Sequence, residues 1–238
     1  MYLHETDPGI GTPCHQCQSQ DVTAVYRCSE CFNAPLLCQT CIVDSHVRSP
    51  FHWIHRWTGS FFERCTLRDL GMVLYLGHHG QRCPNQVVKE GKEIDYMAST
   101  ITITHTTGIQ EAKILYCNCP VDGPFPQERA FQLWQAGLWP ASFTRPQSAF
   151  SIGVLRHFES LTLQAKTTAY DYIGTLRRLT NNAFSHEVKV GYLSLVLILH
   201  LYLCWNGSIS GPVSGIYGFP SSIFISTCPE ASRSIGIW

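Results

Sequence analysis

The chain has 238 residues, with 17 Lys and Arg against 17 Asp and Glu, so its formal net charge is zero. This balance argues against a protein that condenses non-specifically on polyanions, because such a protein carries an excess of basic residues. Only 14% of the residues are charged and 45% are hydrophobic, which excludes a disordered chain and suffices for one or two small cores. The 12 Cys and 11 His are well above ordinary usage.

Residues 1–13 form an N-terminal arm with two acidic side chains and no apolar run. The arm lacks the basic, hydrophobic and cleavage regions of a secretory signal. We therefore expect a reducing compartment, where cysteines persist as thiols or metal thiolates. Eight of the ten cysteines between Cys14 and Cys119 fall in C-x-x-C or C-x-C pairs. This spacing brings two sulfurs to one metal ion.

The region 14–56 has three C-x-x-C pairs followed by histidines, which supply eight ligands for two zinc ions. The gap between the second and third pairs is short, so we predict a cross-brace, as in the ZZ-type and B-box zinc fingers that the spacing resembles. The first site then takes Cys14, Cys17, Cys38 and Cys41, and the second takes Cys28, Cys31, His46 and His52. His55 is an alternative to His52 as the last ligand, although we favour His52.

Closed sites of this kind leave no open position for water, so both zinc ions are predicted to be structural. Each ion would contribute about 10 kcal/mol of folding free energy. A segment of about forty residues could not fold without them. A disulfide framework is the alternative interpretation, but the spacing and the expected compartment both favour zinc.

The region 57–125 is predicted to be rich in β-structure. Ile101 and Ile103 alternate with Thr, a turn follows at 106–108, and a second apolar run covers 109–116. This pattern is typical of a β-hairpin.

A second Cys/His cluster accompanies the predicted hairpin. Cys117 and Cys119 are two residues apart at the exit of the second strand, so their side chains point to the same side. With Cys83 and either His78 or His79 they could form a third zinc site. Two surface thiols and a turn histidine are the alternative.

Residues 126–189 change to a helical pattern. A short amphipathic run over 127–141 stops at Pro140, and two further runs cover 148–161 and 163–180. Their apolar side chains recur every three or four residues: Phe150, Val154, Leu155, Phe158 and Leu161, then Ala169, Ile173, Leu176 and Leu179. The stripes predict core-facing surfaces. The predicted fold class is α+β, with zinc-stabilised modules, first a cross-brace and then a β-hairpin cysteine cluster, followed by a short helical region.

A series of segments carries a more specific signal. They are PLLCQTCIVDSHVRSPFH at 35–52, WTGSFF at 57–62, LRDLG at 67–71, LGHHGQRC at 76–83, TTGIQEAKILYCNC at 106–119, LWPASFTRPQSAFS at 138–151 and LQAKTTAYDYIGTLRRLT at 163–180. In this order they resemble a fungal transposon family, the second type of CxC-like cysteine cluster domain associated with KDZ (Kyakuja-Dileera-Zisupton) transposases. The resemblance covers about residues 14–182.

The resemblance also selects a histidine. In that family a Leu-Gly-His segment followed by a Cys recurs with a C-x-C pair, which implies His78 as the partner of Cys83, Cys117 and Cys119. The chain departs from the family where a Thr-Asp-Asn motif is expected, because it has Thr-Asn-Asn at 180–182.

The functional implication is a nuclear, non-catalytic accessory region of a cut-and-paste DNA transposase that associates with DNA or chromatin. The catalytic part of such proteins is a separate ribonuclease-H-like domain whose carboxylates hold divalent metals. After Lys189 the only carboxylate side chain is Glu230, so we expect a chain truncated before that domain. Candidate phosphate contacts are Arg48, Arg56, Arg64 and Arg68.

A protein-interaction module is the alternative function, since ZZ and B-box fingers bind peptides or self-associate, and this would need no DNA contact. A zinc hydrolase is disfavoured, because closed sites have no open coordination position and no H-E-x-x-H motif occurs.

The tail, residues 190–238, has Glu230 and Arg233 as its only charged side chains. The stretch 190–205 is nearly all apolar but shorter than the roughly 20 residues that span a membrane. A membrane anchor is therefore the weaker interpretation. The other is an aberrant tail, translated from non-coding or frame-shifted sequence, because the family pattern and the charges are lost together.

Overall fold

The computed structural model describes residues 9–84, 88–89, 92–93, 98–119, 128–190 and 202. Strands and helices mix along these residues, which confirms the predicted α+β class. The strands are β1 Tyr26–Cys28, β2 Ile54–Trp57, β3 Phe62–Cys65, β4 Val73–Tyr75, β5 Val88–Lys89, β6 Lys92–Glu93, β7 Ala98–His105, β8 Gly108–Leu115, β9 Leu138–Pro140 and β10 Ser148–Ser151. The helices are α1 Gln39–Ser45, α2 Arg129–Gln135, α3 Ile152–Ala165 and α4 Ala169–Thr180, with short 3-10 turns at His78–Gly80 and Ser185–Glu187.

The chain divides into two compact units. The first comprises residues 1–101 and 110–119, and the second comprises residues 102–109 and 120–238. Strands β7 and β8 form the predicted hairpin, with Thr106 and Thr107 between them. The stem of the hairpin belongs to the first unit and its tip to the second.

The first unit contains an antiparallel sheet in the order β1-β2-β3, and β4 pairs in parallel with β8. Strands β5 and β6 pair with each other. Cysteine side chains make up much of the core of this unit. The core consists of Cys14, Tyr26, Cys28, Leu37, Cys38, Cys41, Ile42, Ile54, Leu67, Leu70 and Met72.

The second unit is built on β10, which pairs in parallel with β7 and antiparallel with β9. Helix α3 follows directly, because the Ser151 side chain caps it by accepting from the Val154 N–H at 3.2 Å. Helix α4 starts in the same way at Thr168, which accepts from the Asp171 N–H. The core of this unit consists of Ile109, Phe150, Val154, Leu155, Phe158, Tyr172, Ile173, Leu176 and Tyr202.

The region predicted as helical contains two strands. Helix α2 ends at Gln135, before Gly137 with its φ of +77°, and Pro140 lies in β9 rather than at a helix end. Phe150 lies in β10 and not on a helix, although it is buried as predicted. These strands form because their backbones pair with each other and with β7, a partner remote in sequence that local periodicity does not reveal.

The predicted apolar tail lies outside the described residues, apart from Val190 and Tyr202. Within the described ranges, no helix has both the length and the apolar character needed to cross a bilayer. The predicted region boundaries at 14, 57, 126 and 190 stay predictions.

Candidate metal centres

Three groups of four Cys and His side chains place their ligand atoms within 4.8 Å of one another. Site 1 consists of Cys14, Cys17, Cys38 and Cys41, site 2 of Cys28, Cys31, His46 and His52, and site 3 of His78, Cys83, Cys117 and Cys119. The structure thus brings together the twelve side chains that the spacing and the resemblance selected. All three sites belong to the first unit. Sites 1 and 2 interleave along the chain, since the first pair of site 2 lies between the two pairs of site 1.

The donor spacings fit a tetrahedral ion. With metal–sulfur bonds of about 2.3 Å and metal–nitrogen bonds of about 2.0–2.1 Å, a tetrahedron has edges of about 3.8 Å between sulfurs and about 3.5 Å between sulfur and nitrogen. The Cys17 and Cys38 sulfurs are 3.9 Å apart, and the Cys83 and Cys119 sulfurs are 3.6 Å apart. These spacings leave room for a central ion, whereas a disulfide would bring two sulfurs to about 2.05 Å.

Site 1 is built around the start of α1. Cys38 is the residue before the helix and Cys41 lies in its first turn, so both sulfurs face the same side. Cys14 and Cys17 lie in a turn that is closed by a bond from the Gln18 N–H to the Cys14 carbonyl at 2.9 Å. The Cys38 N–H donates to the Cys14 sulfur at 3.2 Å, which joins the two halves of the site.

Site 2 combines two thiols with two differently oriented imidazoles. The Ile42 carbonyl can only accept a hydrogen bond, so His46 donates its Nδ1–H to it at 2.8 Å. This leaves Nε2 of His46 facing the Cys31 sulfur at 3.5 Å. His52 instead presents Nδ1, at 3.4 Å from Cys28 and 3.5 Å from Cys31. A carbonyl partner on the far ring nitrogen is a common way to orient a metal-binding histidine.

His55 lies away from site 2, on β2, between Arg27 of β1 and Arg64 of β3. Its pKa is lowered by burial and then by the positive charges of these two arginines, with Glu30 opposing. The pKa of His52 is also lowered, chiefly by burial, with Glu30 opposing the shift and the charge of His46 adding to it. A lowered pKa favours the neutral imidazole, which is the form that binds a metal.

Glu30 is a neighbour of site 2 that sequence reasoning missed. Its carboxylate accepts from the Trp53 N–H at 2.7 Å and from the Ser29 hydroxyl at 3.0 Å, and it lies 3.8 Å from the Cys28 sulfur. It links the C-x-x-C turn of β1 to the residue that follows His52. No motif in the sequence marks this acid, because its partner is a backbone group.

Site 3 depends on an unusual loop. Gly77 has φ +82° and ψ 178°, and His78, His79 and Gly80 also have positive φ. A Cβ on Gly77 would lie 3.0 Å from the Cβ of Cys117, which is tighter than most Cβ contacts, and both this approach and the positive φ favour glycine. The loop points Nε2 of His78 at Cys117, 3.2 Å away, and at Cys119, 3.3 Å away, while His79 lies outside the cluster.

Thiol crowding opposes ionisation of several ligands. Burial and the neighbouring thiols raise the pKa of Cys28, Cys41 and Cys119, the last to about 11. Cys14 differs: burial raises its pKa, but the backbone N–H groups of Cys17, Cys38 and Gln16 together lower it to about 6. Thiols bind metals as thiolates, so a cation must displace protons from these groups, and acid weakens its binding.

The chain was compared with protein families, curated proteins and solved structures. Residues 67–184 match the family described as a CxC2-like cysteine cluster associated with KDZ transposases. The match confirms the resemblance over these residues, which include site 3, whereas sites 1 and 2 lie before the matched segment. The comparisons with curated proteins and with solved structures gave no match.

Proposed function

We propose, on the premise that residues 67–184 are a CxC2-like cysteine cluster domain associated with KDZ transposases, that the chain is a zinc-stabilised accessory region of such a transposase. The matched family is an accessory cysteine cluster and not a catalytic domain. In this role the region associates with DNA or chromatin in the nucleus, where a transposase finds its substrate. The observation that carries the proposal is the presence of three four-ligand sets with tetrahedral spacings.

Zinc is the ion that suits these donors best. Each set contains only thiols and imidazoles, and four-coordinate sites of this composition favour zinc, whereas calcium and magnesium require oxygen ligands. Four protein ligands per ion leave no position for a water molecule or a substrate. The ions would therefore hold the fold together and take no part in a reaction.

Metal analysis of the purified protein tests the zinc assignment. We expect three zinc ions per chain by mass spectrometry under native conditions. The variant His52→Ala should hold two ions, whereas the matched control His55→Ala, on the neighbouring strand, should still hold three. Fewer than two ions in the wild type would contradict the proposal. So would the loss of an ion from His55→Ala but not from His52→Ala.

DNA association is supported by the family description rather than by the net charge. Of the four predicted phosphate contacts, Arg56 pairs with Glu63 at 2.7 Å and Arg68 pairs with Glu111 at 2.5 Å. A gel-shift titration with duplex DNA tests the association, and we expect the affinity to fall steeply as salt rises. The absence of a shift at low salt would refute direct DNA binding.

A groove beside site 1 favours a second candidate function, binding of a protein segment. The groove has a volume of about 600 Å³ and is lined by Asp21, Val22, Thr23, Tyr26, Cys38, Gln39, Thr40, Val43, Asp44 and Leu70. Its two acids and its apolar side chains suit a peptide with a cationic group. A labelled lysine-containing dodecapeptide should bind the wild type and should lose affinity in Asp21→Asn/Asp44→Asn. Binding that is equal in both proteins would reject this function.

A further inference from the structure

Helices α3 and α4 are joined by a short turn in the second unit. The turn consists of the three residues 166–168, in which Lys166 adopts a left-handed conformation with φ +52° and Thr168 caps α4. The two helices share one core, and the rings of Phe158 and Tyr172 lie 5.1 Å apart. Two helices joined by a turn of three or four residues are the arrangement of helix-turn-helix proteins, which place the second helix in the major groove of DNA.

The core determines which face of α4 is turned outward. The buried side of the helix consists of Tyr172, Ile173 and Leu176. The opposite side carries residues that are four positions apart, and they are Tyr170, Gly174 and Arg178. We call these three residues the outward face of α4. Tyr170 is 71% exposed, and an added Cβ at Gly174 would have no neighbouring atom within 4 Å. The centre of the outward face is therefore open to a ligand.

Basic side chains lie at both ends of α4. Lys166 is exposed in the turn before the helix, and Arg178 is exposed in its last turn, next to the half-buried Arg177. Among the described residues, no carboxylate pairs with any of these three groups. The one acid of the helix, Asp171, accepts from the Thr168 hydroxyl at 2.6 Å, at the end where the helix dipole stabilises a negative charge. The two ends of α4 thus offer positive charge to an anionic partner.

Arg177 supplies a second, independent indication. Its Nε–H is buried and has no hydrogen-bond partner within the described part of the chain. Buried donors are nearly always paired in folded proteins, so an unpaired one indicates a role other than packing. A guanidinium that is anchored at its base and has no carboxylate partner is suited to phosphate oxygens, which accept from its terminal N–H groups.

We propose that α4 binds in the major groove of duplex DNA, with its basic ends on the phosphates at either side. At a rise of 1.5 Å per residue, Arg177 and Arg178 lie roughly 12–14 Å along the axis from the first residue of α4. The major groove is about 12 Å wide, so cations at the two ends of the helix match the two backbones that border it. The open space at Gly174 lets the helix approach the base edges. Double-stranded RNA fits less well, because its major groove is too narrow for side chains to read.

This inference rests on the proposed association with DNA and assigns it to one helix. The first test places a negative charge at the centre of the outward face, and it measures fluorescence anisotropy of a labelled 16-base-pair duplex at low salt. Gly174→Glu extends into open space, whereas the matched control Gly153→Glu adds the same charge to the first turn of α3, where an added Cβ makes an ordinary contact at 3.8 Å. We expect Gly174→Glu to weaken binding by roughly tenfold or more, because it faces the phosphates, and Gly153→Glu by less than about twofold.

The second test removes the cations. Arg177→Gln/Arg178→Gln should reduce the slope of log K against log salt by about 1.8, the value for two phosphate contacts on duplex DNA. The matched control Arg145→Gln/Arg156→Gln removes two exposed arginines of the same unit that lie outside α4, and it should retain the wild-type slope. Arg177→Lys/Arg178→Lys keeps both charges and should also retain the slope, with a weaker affinity because the planar groups are lost.

Helical circular dichroism equal to that of the wild type in each variant shows that α4 is intact. Equal effects of the two glutamate variants, or an unchanged slope in Arg177→Gln/Arg178→Gln, would overturn the assignment to α4 while leaving DNA association standing. Tighter binding of a 16-nucleotide single strand than of the duplex would overturn the groove assignment in the same way. A wild type that binds neither oligonucleotide would overturn both this inference and the proposed DNA association.

Discussion

At the scale of single residues, the cysteine spacing selects the candidate ligands because a C-x-x-C turn brings its sulfurs together whatever the surrounding fold. Spacing alone does not choose between adjacent histidines. His78 and His79 both have positive φ, and their different directions follow from the backbone of the Gly77 loop rather than from any local pattern. The sequence does not reveal the role of Glu30 for a similar reason, because its carboxylate accepts from a backbone N–H, which no sequence motif marks.

The Gly77 loop leads to a prediction about site 3. Gly77→Ala forces a side chain into a backbone conformation that costs about 1–3 kcal/mol for residues other than glycine. It also places a Cβ 3.0 Å from Cys117. We expect zinc to leave site 3 faster when a chelator is added, while sites 1 and 2 keep their ions, as measured by time-resolved native mass spectrometry.

The control for this prediction is Gly80→Ala in the same loop. Gly80 also has positive φ, +85°, but no atom lies within 4 Å of its added Cβ. Its zinc release should therefore be affected less than that of Gly77→Ala. Equal release rates in the two variants would show that the approach to Cys117 is unimportant.

Cys65 leads to a second prediction, because it lies outside all three metal sites. Burial raises the pKa of its thiol to about 11, although Arg56 opposes the shift. At pH 8 the thiolate is then on the order of a hundredfold rarer than in an unfolded chain with an ordinary pKa near 8.5. Alkylation by iodoacetamide, followed by peptide mass spectrometry, should be slow at pH 8 and should rise about tenfold per pH unit up to pH 10. A rate at pH 8 equal to that in guanidinium chloride would contradict this.

At the scale of elements, the hairpin was predictable because its signals are local: alternating isoleucines, a Thr-Thr-Gly turn and a second apolar run. Strands β9 and β10 were not, since β9 pairs with β10, and β10 pairs with β7, where Phe150 lies opposite Thr104, more than forty residues earlier in the chain. A strand followed by a helix can also place apolar residues at helical spacing, so this spacing does not distinguish it from one continuous helix. The boundary at Ser151 is visible only through its capping bond.

Thr180 connects two elements of the second unit and carries a prediction. Its hydroxyl accepts from the Ile109 N–H at 2.7 Å and donates to the Leu176 carbonyl at 2.8 Å. Thr180→Val preserves the shape but leaves a buried N–H without a partner, which costs about 1–3 kcal/mol. We expect this loss in urea unfolding monitored with zinc present, together with faster hydrogen exchange at the Ile109 amide.

Thr175→Val is the matched control on the same helix. The Thr175 hydroxyl donates only to the Asp171 carbonyl, at 3.0 Å and in an exposed position. Its replacement should change the unfolding free energy by less than about 0.5 kcal/mol. A loss equal to that of Thr180→Val would indicate a general effect of threonine on α4.

At the scale of the whole molecule, the two units have cores of different composition. Four of the core side chains of the first unit are ligand cysteines, whereas the core of the second unit consists of aliphatic and aromatic side chains and contains none of the twelve ligands. Folding of the first unit should thus depend on metal, since metal–ligand bonds rather than apolar contacts would hold these cysteines together. The second unit has an ordinary hydrophobic core.

We therefore expect the two units to respond differently when zinc is removed. With a strong chelator, hydrogen exchange should become fast in peptides covering 24–57, and it should remain slow in peptides covering α3 and α4. Readdition of zinc under reducing conditions should restore protection in the first set. Equal loss of protection in both sets would mean that the second unit also requires the metal.

The interleaving of sites 1 and 2 has a consequence for how the gene can change. Any break of the chain between Cys28 and Cys41 divides both ligand sets at once. Recombination or a deletion in this stretch would thus destroy two sites together, and neither half could be inherited as a working module. Residues 14–52 must therefore pass from one gene to another as a single piece, whereas site 3, with its ligands between 78 and 119, can be gained or lost independently.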